Sequence, residues 1–350
     1  MNQSRFTIKG QSNLISLFTL LLVPLALFVN PALGDEDDVF GFNDAPLQEP
    51  LEHPHWFKQS FLDLPEDLHD AHESGKKGVI IYFGQRRCPY CQKLLEVNFG
   101  QKDIVDYTQR HFDVISVDIW GIDELTDMNG DTLTEREFAL QKKSNFTPTL
   151  IFYTDGVEET LRLTGYHPPY TFKAALEYVA GGHFKSEPFK SYLDRGDNAL
   201  TFSEGELNEE AFFSPPPHAL DRSQLPGEGP LAVFFERGNC HACDILHSQP
   251  LQREPIQALL KQFELAQLDT LSETPVITPG GTRTTAREWA DQLELFYTPS
   301  IIFFDEKGEE IIRVDSVVQF YRLRNILNYI ISKGYKTEPS YQRWRTRSGR

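Results

Sequence analysis

The chain repeats itself, and the repeat limits what it can fold into. A Cys-x-x-Cys pair stands at Cys88 and Cys91 and again at Cys240 and Cys243, each followed later by a Thr-Pro pair, Thr147-Pro148 and Thr298-Pro299. The first cysteines are 152 residues apart and the two prolines 151. Between these anchors an offset of 151 aligns Asp118 with Asp269, Gly130 with Gly281 and Thr134 with Thr285. The same offset brings Arg136-Glu137-Phe138-Ala139 onto Arg287-Glu288-Trp289-Ala290. A register held this long defines two related domains in tandem, which 350 residues are enough to build.

In each copy an apolar run comes before the dithiol: Val79–Phe83 in the first, and a run ending in Phe234 and Phe235 in the second. Such runs read as buried strands. The residues after Cys91 read as helix, so the dithiol sits at a helix start, where free N–H groups and the helix dipole favour an anion. The thiolate is the reactive form of cysteine, and such a position lowers its pKa from about 8.5 to roughly 3.5–7.5. Arg86 and Arg87, just before Cys88, are expected to push the same way. Thiol–disulfide exchange is the chemistry this suggests. In each pair the first cysteine attacks and the second resolves the mixed disulfide.

The coarse order of the first copy is helix Phe61–His72, strand Val79–Phe83, helix from Cys88, helix Ile104–Gln109 and strand Val114–Asp118. An acidic loop and a helix reaching Lys143 follow, then strands Thr149–Tyr153 and Thr160–Leu163 and helix Thr171–Val179. This is an α/β order suited to a mixed sheet covered on both faces.

Strand, Cys-x-x-Cys at a helix start, strand, then Thr-Pro into another strand resembles the thioredoxin superfamily, twice over. The resemblance implies two tandem thioredoxin-like domains, each a mixed central sheet flanked by helices. It implies cis prolines at Pro148 and Pro299, and a loop that lies against the dithiol and receives a substrate's backbone, formed by Thr147-Pro148 and Thr298-Pro299. The long segment Trp120–Asn145, together with the lack of Trp before the dithiol, resembles SoxW-like periplasmic thioredoxins. Two departures stand out. Arg87 and Asn239 replace the usual Trp, and Tyr82 and Phe234 occupy the place of the buried Asp that serves the resolving thiol, so a proton acceptor for Cys91 is unassigned.

The two sites differ. Pro89-Tyr90 matches the glutaredoxin dipeptide, whereas the second site encloses His241-Ala242. A protonated His241 would favour the second thiolate, with Arg237 helping and Glu236 opposing; the alternative is that His241 is an exposed spacer.

All four cysteines lie in the two pairs, leaving none to staple distant segments. Zinc held by two such pairs typically has about 15–20 residues between them, but here Cys91 and Cys240 are 149 apart. Gln92 and Asp244 follow the motifs where covalent haem requires His. Asp127–Asp131 invites a calcium reading, yet an EF-hand loop with Gly130 sixth would end on Arg136. A net charge of −17 argues against a nucleic-acid partner. No metal or organic cofactor is expected.

Residues 1–34 read as a secretory leader: Arg5 and Lys9, an apolar core Leu14–Val29, and cleavage after Gly34. An acidic, mobile lead-in (35–55) is expected next, then a first domain (56–183), a linker (184–209), a second domain (210–333) and a basic, disordered tail (334–350). The expected function is an exported, periplasmic thiol–disulfide oxidoreductase, a monomer acting on protein disulfides, more as reductase than oxidant, with a membrane electron donor or acceptor. Two alternatives stand beside it. One is a disulfide isomerase or oxidase; the other is a non-catalytic dithiol module binding a soft metal such as Cu(I).

Overall fold

The structure, a computed structural model, describes residues 39–197 and 206–349. The expected leader lies outside the described residues. In the first domain α1 (Leu64–Glu73) leads into β1 (Gly78–Gly84), and the dithiol opens α2 (Pro89–Lys93), which continues as a wider turn over Leu94–Asn98. Next come α3 (Lys102–His111), β2 (Phe112–Asp118), a hairpin of β3 (Glu124–Thr126) and β4 (Thr132–Thr134), and α4 (Glu135–Gln141). Then follow β5 (Thr149–Tyr153), β6 (Leu161–Thr164), α5 (Pro169–Ala180) and α6 (Phe189–Asp197). The second domain repeats this with β7 (His218–Ala219), β8 (Leu231–Glu236), α7 (His241–Ser248), α8 (Glu254–Leu260) and β9 (Glu264–Asp269). Its remainder is β10 (Pro275–Ile277), β11 (Arg283–Thr285), α9 (Ala286–Gln292), β12 (Ser300–Phe304), β13 (Glu310–Val314), α10 (Phe320–Ile331), α11 (Gly334–Thr337) and α12 (Tyr341–Arg347).

Each domain carries a four-stranded mixed sheet, in the order β2-β1-β5-β6 and β9-β8-β12-β13. In both, the dithiol-bearing strand runs parallel to one neighbour and antiparallel to the strand after Thr-Pro. The central strands are buried along their whole length, and this is why they read as unbroken apolar runs. Alternate residues face opposite layers. Ile80, Tyr82, Leu150 and Phe152 pack with the dithiol helix, and Val79, Ile81, Phe83, Ile151 and Tyr153 pack with α1 and α4. In the insertion, Glu137 and Glu288 reach back to the N–H groups of Thr134 and Thr285, so the same helix start recurs in both copies.

Three expectations need correction. The lead-in is folded from Val39 onward. Phe40, Phe42, Leu51 and Trp56 pack on the first core, Phe57 is part of it, and Leu51 donates to the Arg86 carbonyl at 2.7 Å. The linker contains α6, whose Phe189 and Leu193, one helical turn apart, are buried in that core. The tail is not disordered: Tyr341 and Trp344 are buried in the second core, and Gln342 donates to the Asn145 carbonyl of the first domain. In each case a few well-spaced aromatic residues outweigh the surrounding charge. No helix among the described residues is long and apolar enough to cross a membrane.

The domains dock through the faces that carry the dithiols, and counterpart residues meet there. Gly165 faces Ser316, and the Val317 N–H donates to the Tyr166 carbonyl at 3.1 Å; both pairs are related by the repeat offset of 151. The neighbouring contacts are also exchanged. His167 packs on Tyr297, with ring centroids 5.4 Å apart, while its counterpart Val318 shares a core with Phe146, the counterpart of Tyr297. A surface that meets its own copy is an isologous contact, here made within one chain.

Candidate active sites

Both dithiols are closed as disulfides, Cys88–Cys91 and Cys240–Cys243. Each first cysteine is the residue that caps its helix, with extended backbone, and its sulfur accepts the N–H of the second cysteine, at 2.9 Å in the first domain and 3.1 Å in the second. The second cysteines are wholly buried one turn in. Thr147-Pro148 and Thr298-Pro299 both have cis peptide bonds and lie against the sulfurs. Cys88 Sγ is 3.3 Å from Thr147 Oγ1 and 3.5 Å from the Thr147 carbonyl oxygen; the matching distances from Cys240 to Thr298 are both 3.6 Å. The structure thus brings together eight of the expected site residues as two matched clusters.

The expected tuning residues are placed differently. Arg86 and Arg87 are exposed, and Arg86 reaches Asp118 only at 3.9 Å. His241 is exposed, with its ring edge-on to Phe40. Water screens charges in such positions. The first site is instead covered by residues distant in sequence. Gln85 donates to Thr147 Oγ1 at 2.7 Å, while its carbonyl oxygen accepts from Trp120 and from Arg345 of the tail, both at 3.2 Å. Tyr90 gives its hydroxyl to Asp44 at 2.8 Å. Asp44 also accepts the N–H groups of Tyr321 and Arg322 at 2.8 Å, which ties the start of α10 to the first dithiol's helix. Arg322 lies flat on Tyr90, 3.3 Å from the ring centre, and donates to the Thr147 carbonyl at 2.8 Å. Asp44, Gln85 and Arg322 carry no local motif. Arg322 has no distinguishing signal in the sequence, since α10 also carries Arg324, Asn325 and Asn328.

The second site is built differently. It opens on a cavity of about 250 Å³ lined by Phe40, Thr171, Leu295, Tyr297 and Thr298. Thr171 is the counterpart of Arg322, and, in the dithiol strands where the offset is 152, Arg237 is the counterpart of Gln85 and Glu236 that of Gly84. Glu236, fully buried, turns to His247 at 3.1 Å and Gln267 at 2.9 Å. Burial opposes charge on His247, but its contacts with Glu236 and Glu210 outweigh that and raise its pKa. Burial pushes Tyr82 well above the usual phenol range, so it stays protonated and is no base for Cys91.

A family model for the thioredoxin-like domain matches the chain twice, at residues 64–180 and 216–331, about two thirds of its length. The chain belongs to the thioredoxin-like family. Among solved structures it is similar to a thioredoxin-fold protein from Helicobacter pylori, at 24% identity over 41% of this chain and 93% of that chain, with a TM-score of 0.34. It is also similar to a thioredoxin from Thermus thermophilus, at 28% identity over 33% of this chain and 83% of that chain, TM-score 0.27. A third similarity is to the NTD_N/C domain of alkylhydroperoxide reductase AhpF from Enterococcus faecalis, at 13% identity over 78% and 100%, TM-score 0.23. No curated protein matches. The family and the two Cys-x-x-Cys pairs point to a thiol–disulfide oxidoreductase.

Proposed function

We propose that this is an exported thiol–disulfide oxidoreductase that acts on disulfides of other proteins, working as a reductase. One observation carries the reading: in each domain a buried Cys-x-x-Cys caps a helix with its first sulfur against a Thr-cis-Pro loop. In the reduced protein the Cys88 thiolate attacks one sulfur of a substrate disulfide, forming a mixed disulfide and releasing the other substrate sulfur as a thiolate. Cys91 then loses its proton and attacks Cys88, which releases the second substrate sulfur and leaves the Cys88–Cys91 bond. Cys240 and Cys243 follow the same course. Two electrons pass to the substrate, so a donor must restore the dithiol, and we assign that role to a membrane partner. The leader residues Arg5, Lys9 and Leu14–Val29 support export with cleavage after Gly34. The long insertion supports kinship with the SoxW-like branch, and a monomer suffices because both sites lie in one chain.

Isomerase or oxidase is the second reading within the class, favoured by the guanidinium buried against the first site. The test is the reduction potential of each pair in the mature chain, with the other pair changed to Ser. Potentials near about −270 mV fit a reductase, and values near about −120 mV fit an oxidant. If neither pair titrates reversibly, exchange is refuted and dithiol binding of a soft metal takes its place.

A further inference from the structure

Arg322 is a charged side chain in an unusual position. It belongs to α10 of the second domain, yet it is 92% buried at the first domain's dithiol, being 8% exposed. Its Nη2 donates to the Thr147 carbonyl, its plane covers Tyr90 and it approaches Phe146 to 5.2 Å. Its Nη1 is buried and finds no acceptor among the described residues. No carboxylate lies within ion-pair distance of it among those residues. The carboxylate of Asp44 is taken up by three other donors: the Tyr90 hydroxyl and the N–H groups of Tyr321 and Arg322.

Burial disfavours this cation, Asp44 offsets that only in part from beyond ion-pair distance, and the remaining cost falls if an anion forms nearby. One atom can become that anion. Cys88 Sγ touches the Thr147 carbonyl that Arg322 holds, so one carbonyl separates the sulfur from the guanidinium. In the disulfide this sulfur is neutral; in the reduced pair it is the thiolate. Arg322 therefore stabilises the reduced form over the oxidised one, and in a poorly solvated site the effect is large. Arg86 and Arg87 lie in water and lack this leverage. The second dithiol lacks it too, since Thr171 stands where Arg322 would be.

We propose that Arg322, supplied by the second domain, is the positioning residue that sets the thiolate and the reduction potential of Cys88–Cys91. The inference rests on the thiol-exchange reading above. The second domain thereby completes the first domain's site, and the first disulfide is a stronger oxidant docked than it would be alone.

The reaction to follow is the equilibrium with glutathione. One disulfide and two glutathione thiols give the Cys88 thiolate, the Cys91 thiol, one glutathione disulfide and one released proton. The full mature chain carrying C240S and C243S is equilibrated in glutathione buffers, and the reduced fraction is read by alkylation and mass. Arg322→Met should lower the equilibrium constant for reduction about tenfold or more, a fall of about 30 mV or more. The pH of half-maximal thiolate absorbance should rise by about one unit. Arg322→Lys should restore most of both, and the Arg86→Gln, Arg87→Gln double variant should change them less than threefold. In the converse background, C88S with C91S, Arg322→Met should leave the second dithiol within twofold. The wild-type chain supplies a test that needs no folded variant. A buried cation is poorly screened, so the first-site constant should hold within twofold between about 0.05 and 1 M KCl.

The proposal is overturned if Arg322→Met leaves the first-site constant within twofold, if both dithiols shift together, or if Arg86 and Arg87 have the larger effect. A several-fold fall with salt would likewise overturn it, by assigning the effect to exposed charge. If neither dithiol equilibrates with glutathione, the exchange reading fails and this inference fails with it; equilibration untouched by Arg322 removes the inference alone.

Discussion

Gly165 is the position where the docked arrangement can be tested most directly. Its φ of +89° lies in the region that L-residues avoid, and its N–H donates to the Pro148 carbonyl at 2.8 Å. A Cβ added there would stand 2.1 Å from Ser316 Oγ and 2.7 Å from Ser316 Cβ. Ser316 is fully buried and has little room to turn away. Gly165→Ala therefore has two separable costs. The backbone conformation contributes roughly 1–2 kcal/mol, and the overpacking roughly 1–3 kcal/mol. Urea unfolding of the oxidised chain should show a loss of roughly 2–5 kcal/mol on these grounds. Adding Ser316→Gly removes both clashing atoms but leaves the backbone strain, so the double variant should recover only the overpacking part. Ser316→Ala keeps the Cβ and should recover much less. If Gly165→Ala costs under about 0.5 kcal/mol, the range of an ordinary surface change, the seam between the domains does not lie where it is described. The same conclusion follows if Ser316→Gly gives no recovery.

Two further predictions concern buried charge. Asp44→Ala removes the cap of α10 and the acceptor of the Tyr90 hydroxyl, and should cost roughly 2–4 kcal/mol in the same assay, with Asp44→Asn falling between the two; an unmoved midpoint would show that the lead-in is not docked. His247 holds its proton more tightly folded than unfolded, so its contribution to stability is complete below its ordinary 6.5 and fades as pH rises through the higher folded value. Unfolding measured from about pH 6 to 8 should show that decline in the wild type and a flatter profile in Glu236→Gln, and identical profiles would refute the linkage.

Much of the fold was legible in the chain because it is encoded locally. Val79–Phe83 and Thr149–Tyr153 are apolar on both faces, Cys88 and Cys240 open helices, and the offset of 151 duplicates the order. The hairpin β3–β4 leaves no trace in the sequence because three-residue strands are too short to show an alternating pattern. The lead-in, the linker helix and the tail are illegible in the sequence for a related reason. Their charges are frequent and their anchors few, yet Asp44, Phe189 and Trp344 are each buried. Arg86 and Arg87 are the nearest cations to the first dithiol along the chain. The buried one lies 234 residues from Cys88, and only docking brings it there. Local pattern records which face of an element is apolar; it does not record which distant element covers that face.

The contact of Gly165 with Ser316 has a consequence for divergence. Where two identical subunits meet across a two-fold axis, any substitution appears on both sides at once, and a residue that suits one side must tolerate itself on the other. Joining the two copies in one chain lifts that restriction. Gly165 can stay small while Ser316 fills the gap, Gly84 can be bare while Glu236 turns to a histidine, and an arginine can cover one dithiol while a threonine stands at the matching place in the other half. The tether also keeps the halves at a high effective concentration, so their seam need not be strong enough to recruit a partner from solution. The covalent join is what lets one ancestral contact surface serve two sites of different character.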